Sequence, residues 1–424
     1  MSDKLPQGWT TTSLSDLLIA LESGSRPRGG VRGISGGVPS IGGEHLKYDG
    51  KFDFTSLKYV PEQFAASMTK GRIRTNDILV VKDGATTGKT AFVDSTFPFR
   101  DAVVNEHVFI CRPRPEIEPR FLFRFLTSRD GQQHILENFK GSAQGGINQS
   151  FAPNTEVPLA PLGEQRRIVA KLETLLGKVD ASQQRLAKIP VLLKHFRQSV
   201  LAAACSGRLT ADWREENRVD DEWKTEPLSE LFTMRNGKSL TTAKREDGEI
   251  PVYGGNGHMG NHNAANAEGQ VIVIGRVGAQ CGNVHFVSGK VWVTDNAISL
   301  EAKREVEPAF YAFFLRSKNL NQLSAGTGQP YVSQEILGPI ETPVVSLAEQ
   351  REIVNRVEAL FALADQIEAR FTQARAQVDQ LTPSLLARAF RGELVPQDPA
   401  DEPAATLLER LQQRQAKPRC DARQ

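Results

Sequence analysis

Apolar positions along this chain fall into two patterns that alternate twice. In the first, Ile353, Val357, Leu360, Ala364, Ile367, Phe371, Ala374, Val378, Leu381 and Leu385 are spaced alternately four and three apart. Ile168, Leu172, Leu175, Val179, Ser182, Leu186, Ile189, Leu193, Phe196 and Val200 keep the same rhythm. That spacing predicts two long helices packed on each other as a two-stranded coiled coil, each seam running for about 50 Å at 1.5 Å per residue. Packing of each helix on a separate core is the alternative. Pro161 and Pro343 precede the helices, and Gly207 and Gly392 follow them as left-handed caps. Pro190 and Pro383 fall inside, off the seam, and predict local kinks.

The second pattern is short β-branched runs broken by glycine turns, in residues 1–157 and 222–342. The two segments share little sequence but pass the same milestones. Each opens on a Trp and a short amphipathic helix (Trp9, Trp223), then has a Pro-x-x-Gly-Gly stretch at Pro39 and at Pro251. A strand next runs into a glycine loop and out again, as "DILVVKDGATTGKTAFV" and "GQVIVIGRVGAQCGNVHFV". A Phe-rich helix ("RFLFRFLTS", "AFYAFFLRS") and a "GSAQ" or "GTGQ" loop close each segment. These features read as compact α+β domains. The predicted order is a module over 1–157, a helix and linker over 158–221, a module over 222–342, a helix over 343–395, and a tail over 396–424 with a short helix at 404–415.

The helices are copies of one element. Pro158 to Leu209 aligns on Pro343 to Leu394 without a gap, including Glu164-Gln165-Arg166 against Glu349-Gln350-Arg351. Duplication implies an approximate two-fold axis, and duplex DNA is the commonest partner with such an axis. The net charge of +2 argues that unaided binding to a polyanion is modest. Cys111, Cys205, Cys281 and Cys420 have no short pairing and suit a reducing cytoplasm. No apolar run approaches membrane-spanning length, and the N-terminus lacks a signal-peptide stretch.

With these residues in place the chain resembles the specificity subunit of type I restriction-modification enzymes. The carriers are the paired "PLGEQRRIVAKLETL" and "SLAEQREIVNRVEAL", the helix ends "LAAACSGRL" and "LARAFRGEL", and the tail "ELVPQDPADEPAATLLERL". The resemblance covers nearly the whole chain. It implies two target-recognition domains held apart by antiparallel helices, each domain reading one half of an asymmetric, interrupted DNA site. It implies a subunit without catalysis or cofactor of its own. Its expected partners are two modification subunits that methylate adenine from S-adenosylmethionine, and restriction subunits that use ATP and Mg2+.

The glycine loops carry the candidate DNA contacts. Residues 83–90 end like a phosphate loop, in Gly88-Lys89-Thr90, but Asp83 stands where the first glycine is required. The segment after Thr90 reads as strand, whereas a phosphate loop must open a helix. Lys82, Thr86, Thr87 and Lys89 are better placed as a DNA-contacting edge. Matching Gly88 with Gly282 brings up Arg276, Gln280 and Asn283 in the second module. Arg is suited to guanine O6 and N7, Gln and Asn to adenine N6 and N7; solvated hairpin turns are the plainer reading of both loops. His258 and His262 have a zinc-like spacing but lie among Gly and Asn without a third ligand. No Pro-Pro pair exists on which an adenine-methyltransferase motif could be built, and no acidic nuclease cluster is evident. Glu164, Gln165, Arg166, Glu349, Gln350 and Arg351 sit in helix first turns, where acids are favoured by the dipole; their repetition as a unit suggests docking of a duplicated partner. An NTPase or nuclease, and a coiled-coil adaptor binding peptides, are the competing classes.

Overall fold

A computed structural model describes residues 5–141, 145–219, 222–326 and 329–416. Cys420, most of the "GSAQ" loop and half of the "GTGQ" loop lie outside them. The chain divides into two compact units, Met1–Gln184 with Arg375–Gln424, and Arg185–Ala374. These units cut across the expected domain boundaries, because each module packs with the helical segments beside it.

In the first unit a four-stranded antiparallel sheet runs in the order Leu18–Ser23, Val108–Pro113, Ile78–Val81, Thr90–Phe92. Its central strand shows why a continuous apolar run forms a strand here. Ile78 and Val80 point into one core with Phe109 and Cys111, while Leu79 and Val81 point into a second with Val108 and Ile110. The period of two feeds both faces, so no position is left polar. A smaller sheet pairs Lys58–Val60, Val38–Ile41 and Val103–Val104. Thr10–Ser13 pairs with Glu156–Leu159, closing the module where the first long helix begins.

The second unit repeats this logic with a six-stranded sheet. Its order is Phe232–Asn236, Ala297–Ala302, Ala267–Gly275, Val284–Val293, Ile250–Gly254, Gly257–His262. Ile272 and Ile274 face one core, Val271 and Val273 the other. Lys224–Pro227 pairs with Glu341–Val344, matching the closing ladder of the first unit.

The long helices are Leu162–Leu186 continued by Ile189–Cys205, and the unbroken Leu347–Phe390. Pro190 does more than kink its helix. The helical hydrogen bonds stop at a turn over 187–188 and restart with proline in the first turn, where its missing N–H is harmless. Pro383 leaves Leu347–Phe390 continuous. Both expected caps are left-handed, Gly207 at φ 71° and Gly392 at φ 71°.

Within each unit the paired segments are antiparallel. In the first, Leu172 and Leu176 share a core with Leu386 and Phe390, and further along Gln183 Nε2 donates to Asp379 Oδ1 at 3.2 Å. In the second, Arg197 Nη2 meets Asp365 Oδ1 at 2.6 Å, while Arg356 Nη1 meets the Leu209 carbonyl at 2.8 Å. The seam is not uniformly dry. Leu172 and Val357 are fully buried, and Leu175, Leu186, Leu360 and Phe371 are half-buried. Phe196, Ile367 and Leu381 are exposed, contrary to a continuous seam. The helices are held chiefly where they meet the modules.

The tail helix Ala404–Ala416 belongs to the first unit. Ala404, Leu407, Leu408 and Leu411 enter the core beside Ile168 and Phe390. Arg167 ties to Asp401 at 2.6 Å and Arg414 to Glu116 at 2.5 Å.

Candidate nucleic-acid interface

Each module is seated on its long helix by a buried clamp made from the repeated Glu-Gln pair. In the first unit Trp9 Nε1 donates to Glu164 Oε2 at 3.0 Å. Gln165 Oε1 accepts from the backbone N–H of Glu118 at 3.0 Å, at the start of the Phe-rich helix Pro119–Leu126. Its Nε2 donates back to the Ala160 carbonyl at 2.8 Å. In the second unit Trp223 Nε1 lies 3.3 Å from both Glu349 oxygens. Gln350 Oε1 accepts from the N–H of Glu307 at 2.7 Å, at the start of Pro308–Ser317, and Nε2 donates to Val345 O at 2.8 Å. One amide thus satisfies an orphan N–H at a helix start and a strand-end carbonyl together.

Four of the six residues expected in a docking role are instead internal. Glu164, Gln165, Glu349 and Gln350 are all at least 97% buried and spend their polar atoms inside the chain. Only Arg166 and Arg351 of the two triplets are exposed.

The two clamps are not equivalent in charge. Glu349 also accepts from Thr210 Oγ1 at 2.7 Å and from Arg214 Nη1 at 2.6 Å. The repeat puts Val395 and Pro399 where those residues would serve Glu164. Glu164 Oε1 is buried with no hydrogen-bond partner. Burial, opposed by the Trp9 hydrogen bond and by Arg167, raises the pKa of Glu164.

On these seated modules the two glycine loops fold identically, residue for residue. Thr87 N–H bonds Gly84 O, Gly88 N–H bonds Val81 O and Lys89 N–H bonds Thr86 O. Cys281 to Gly278, Gly282 to Gly275 and Asn283 to Gln280 are the same three bonds in the second module. Gly84, Gly88, Gly278 and Gly282 have φ between 83° and 88°, the left-handed region the turn demands. Lys82 N–H bonds His107 O, and Arg276 N–H bonds Asn296 O. Lys82 and Arg276, Thr86 and Gln280, Lys89 and Asn283 therefore occupy matching places on matching turns.

The side chains differ in readiness. Thr87 Oγ1 donates to Gly84 O at 2.7 Å and supports the turn. Lys82 Nζ lies 5.5 Å from the Phe109 ring centroid and Lys89 Nζ 4.6 Å from that of exposed Tyr48. Arg276 Nη1 reaches the Asp295 carbonyl at 3.3 Å, and Asn283 Nδ2 donates to Gln280 Oε1 at 2.8 Å. A strand, Thr90–Phe92, leaves the first loop, so no helix N-terminus meets an anion there. His262 is buried against Trp292 and shares the Glu246 backbone, and His258 Nε2 meets Asn261 at 3.1 Å.

Motif spacing did not single out the loop between strands Leu18–Ser23 and Val38–Ile41. Its run Arg26-Pro27-Arg28-Gly29-Gly30-Val31-Arg32-Gly33 is the missed signal, cations interleaved with glycine. It borders the hairpin through His107, whose Nδ1 lies 2.6 Å from Asp83 Oδ1 and Nε2 3.2 Å from Glu106 Oε1; Arg26 pairs with the same Glu106 oxygen at 2.8 Å.

Two modules on one scaffold, with one loop geometry and different side chains, are what a family of DNA readers would share. Residues 6–191 and 220–374 match the model of the type I restriction modification DNA specificity domain. This chain belongs to that family. It is 28% identical to the EcoKI specificity subunit of Escherichia coli K12, over 97% of both chains. To the StySPI specificity subunit of Salmonella potsdam it is 29% identical, over 97% of this chain and 96% of that one. The fold is that of the HsdS subunit from Thermoanaerobacter tengcongensis, at a TM-score of 0.61 and 20% identity, over 92% of this chain and 98% of that one. A chain from a type I system solved for its complex assembly and conformational transition superposes with a TM-score of 0.69 at 20% identity, covering 92% and 99%. Among the described residues no helix is long and apolar enough to cross a membrane.

Proposed function

We propose that this specificity subunit reads a bipartite DNA site, one half through each module, and carries no chemistry itself. The observation that carries the reading is the matched pair of glycine turns presenting Lys82, Thr86 and Lys89 in one module and Arg276, Gln280 and Asn283 in the other. An unchanged backbone with exchanged side chains is how one scaffold reads two sequences. The long helices set the unread gap between half-sites. Two modification subunits dock along them and supply S-adenosylmethionine-dependent adenine methylation. Arg166 and Arg351, related by the repeat, are the exposed parts of the Glu-Gln-Arg triplets and the ones that would meet those subunits. Restriction subunits add ATP-driven cleavage in the full assembly. The net charge of +2 supports a shared grip, since this chain alone has little excess cation to release counterions.

Mapping methylated adenines in a cell that carries this chain with its modification subunits tests the reading. A single interrupted, asymmetric motif is expected. Methylation without a motif, or S-adenosylmethionine turnover by the purified chain alone, would contradict it.

A further inference from the structure

The first module holds an open cavity of about 760 Å³ beside its glycine hairpin. Its walls include Arg26, Arg32, Glu44, Lys58, Asn105 and His107, together with Gly29, Gly30 and Gly33. Gly29 and Gly33 have positive φ, and a Cβ on either would meet nothing within 4 Å, so the rim is backbone open to an approaching ligand. Arg32 is exposed and, among the described residues, has no ion pair or side-chain hydrogen bond. Glu44 lines the same space and pairs with Lys58 at 2.5 Å, an exposed pair that costs little to open.

The mixture of signs identifies the ligand. A phosphate presents acceptors alone and would use Arg32 while offering the Glu44 carboxylate no donor. The major-groove edge of a G·C pair presents guanine O6 and N7, which suit an arginine fork, and cytosine N4–H, which suits a carboxylate. We propose that this cavity reads one G·C pair of the first module's half-site, with Arg32 on guanine and Glu44 on cytosine. The proposal rests on the half-site reading above. Arg26, pinned by Glu106 at 2.8 Å, orders the near end of the loop. His107 joins the loop to the hairpin, so the cavity and Lys82 present one continuous edge.

The test maps methylated adenines genome-wide for the complete complex carrying Arg32→Ala, Arg32→Lys or Glu44→Gln. Arg32→Ala and Glu44→Gln should each loosen the same single G·C position of one half-site, with discrimination there falling about tenfold to a hundredfold. The other half-site should stay unchanged. Arg32→Lys keeps the charge and loses the fork, so it should loosen that position as well. A motif left intact by Arg32→Ala, or intact by Arg32→Lys with methylation merely weaker at every site in Arg32→Ala, would reduce Arg32 to a phosphate contact and overturn the proposal. So would loosening by Arg32 and Glu44 variants at different positions. Failure of the wild-type complex to show any bipartite motif would overturn the functional reading itself, and is distinguishable because it precedes any substitution.

Discussion

Glu164 and Glu349 are the same residue of the same repeat, yet one keeps a buried oxygen without a hydrogen-bond partner and the other gathers Thr210, Arg214 and Trp223. Glu349→Gln removes the partner of Arg214 and should destabilise the chain by about 2 kcal/mol in thermal or denaturant unfolding. Glu164→Gln should cost far less at neutral pH, because a neutral amide can still accept from Trp9 and no buried charge is left unpaired. Between the ordinary carboxylate value and the raised value of Glu164, the folded chain keeps a proton that the unfolded chain has lost. Stability from this group is therefore present at low pH and falls as pH rises through that window. Comparing unfolding midpoints across that window should show this slope in wild type and its loss in Glu164→Gln. Equal slopes in both would show that Glu164 does not titrate there.

At the scale of elements, the helix repeat was legible because a heptad seam and a gapless duplication need no tertiary knowledge. The glycine turns were legible too, since four glycines at one spacing in two unlike segments leave few backbone solutions. Two things were not. Glu164-Gln165 looked like a surface motif because acids suit a helix N-terminus on electrostatic grounds; only burial against Trp9 and the start of Pro119–Leu126 shows them to be internal. The even seam misled for a related reason: periodicity tells which face is apolar, not how much of it finds a partner. A carboxylate should thus cost most at the buried positions. Leu172→Asp and Val357→Asp are expected to lose several kcal/mol or to take up a proton, whereas Ile367→Asp, at a position already 41% exposed, should be nearly silent. Denaturant midpoints of the three variants check this ordering.

At the scale of the whole molecule, the proposed reading makes the helices a spacer between two independent readers. Lengthening must leave the clamps alone. Residues just after Gly207 and Gly392 are poor sites, because Thr210 and Arg214 serve Glu349, and Asp401 ties to Arg167. A heptad inserted at the 187–188 turn and another after Thr372 would keep the seam in phase and add about 10 Å. The unread gap of the methylated motif should then widen by about three base pairs, with both half-sites unchanged. Independence of the readers is the central claim. It is tested most directly by methylation mapping with Arg276→Ala and Gln280→Ala in the second module, beside Lys82→Ala and Lys89→Ala in the first. Each set should relax one half-site, by about 1–3 kcal/mol per lost base contact, and the two sets should relax opposite halves. Either set altering both halves together would contradict the account.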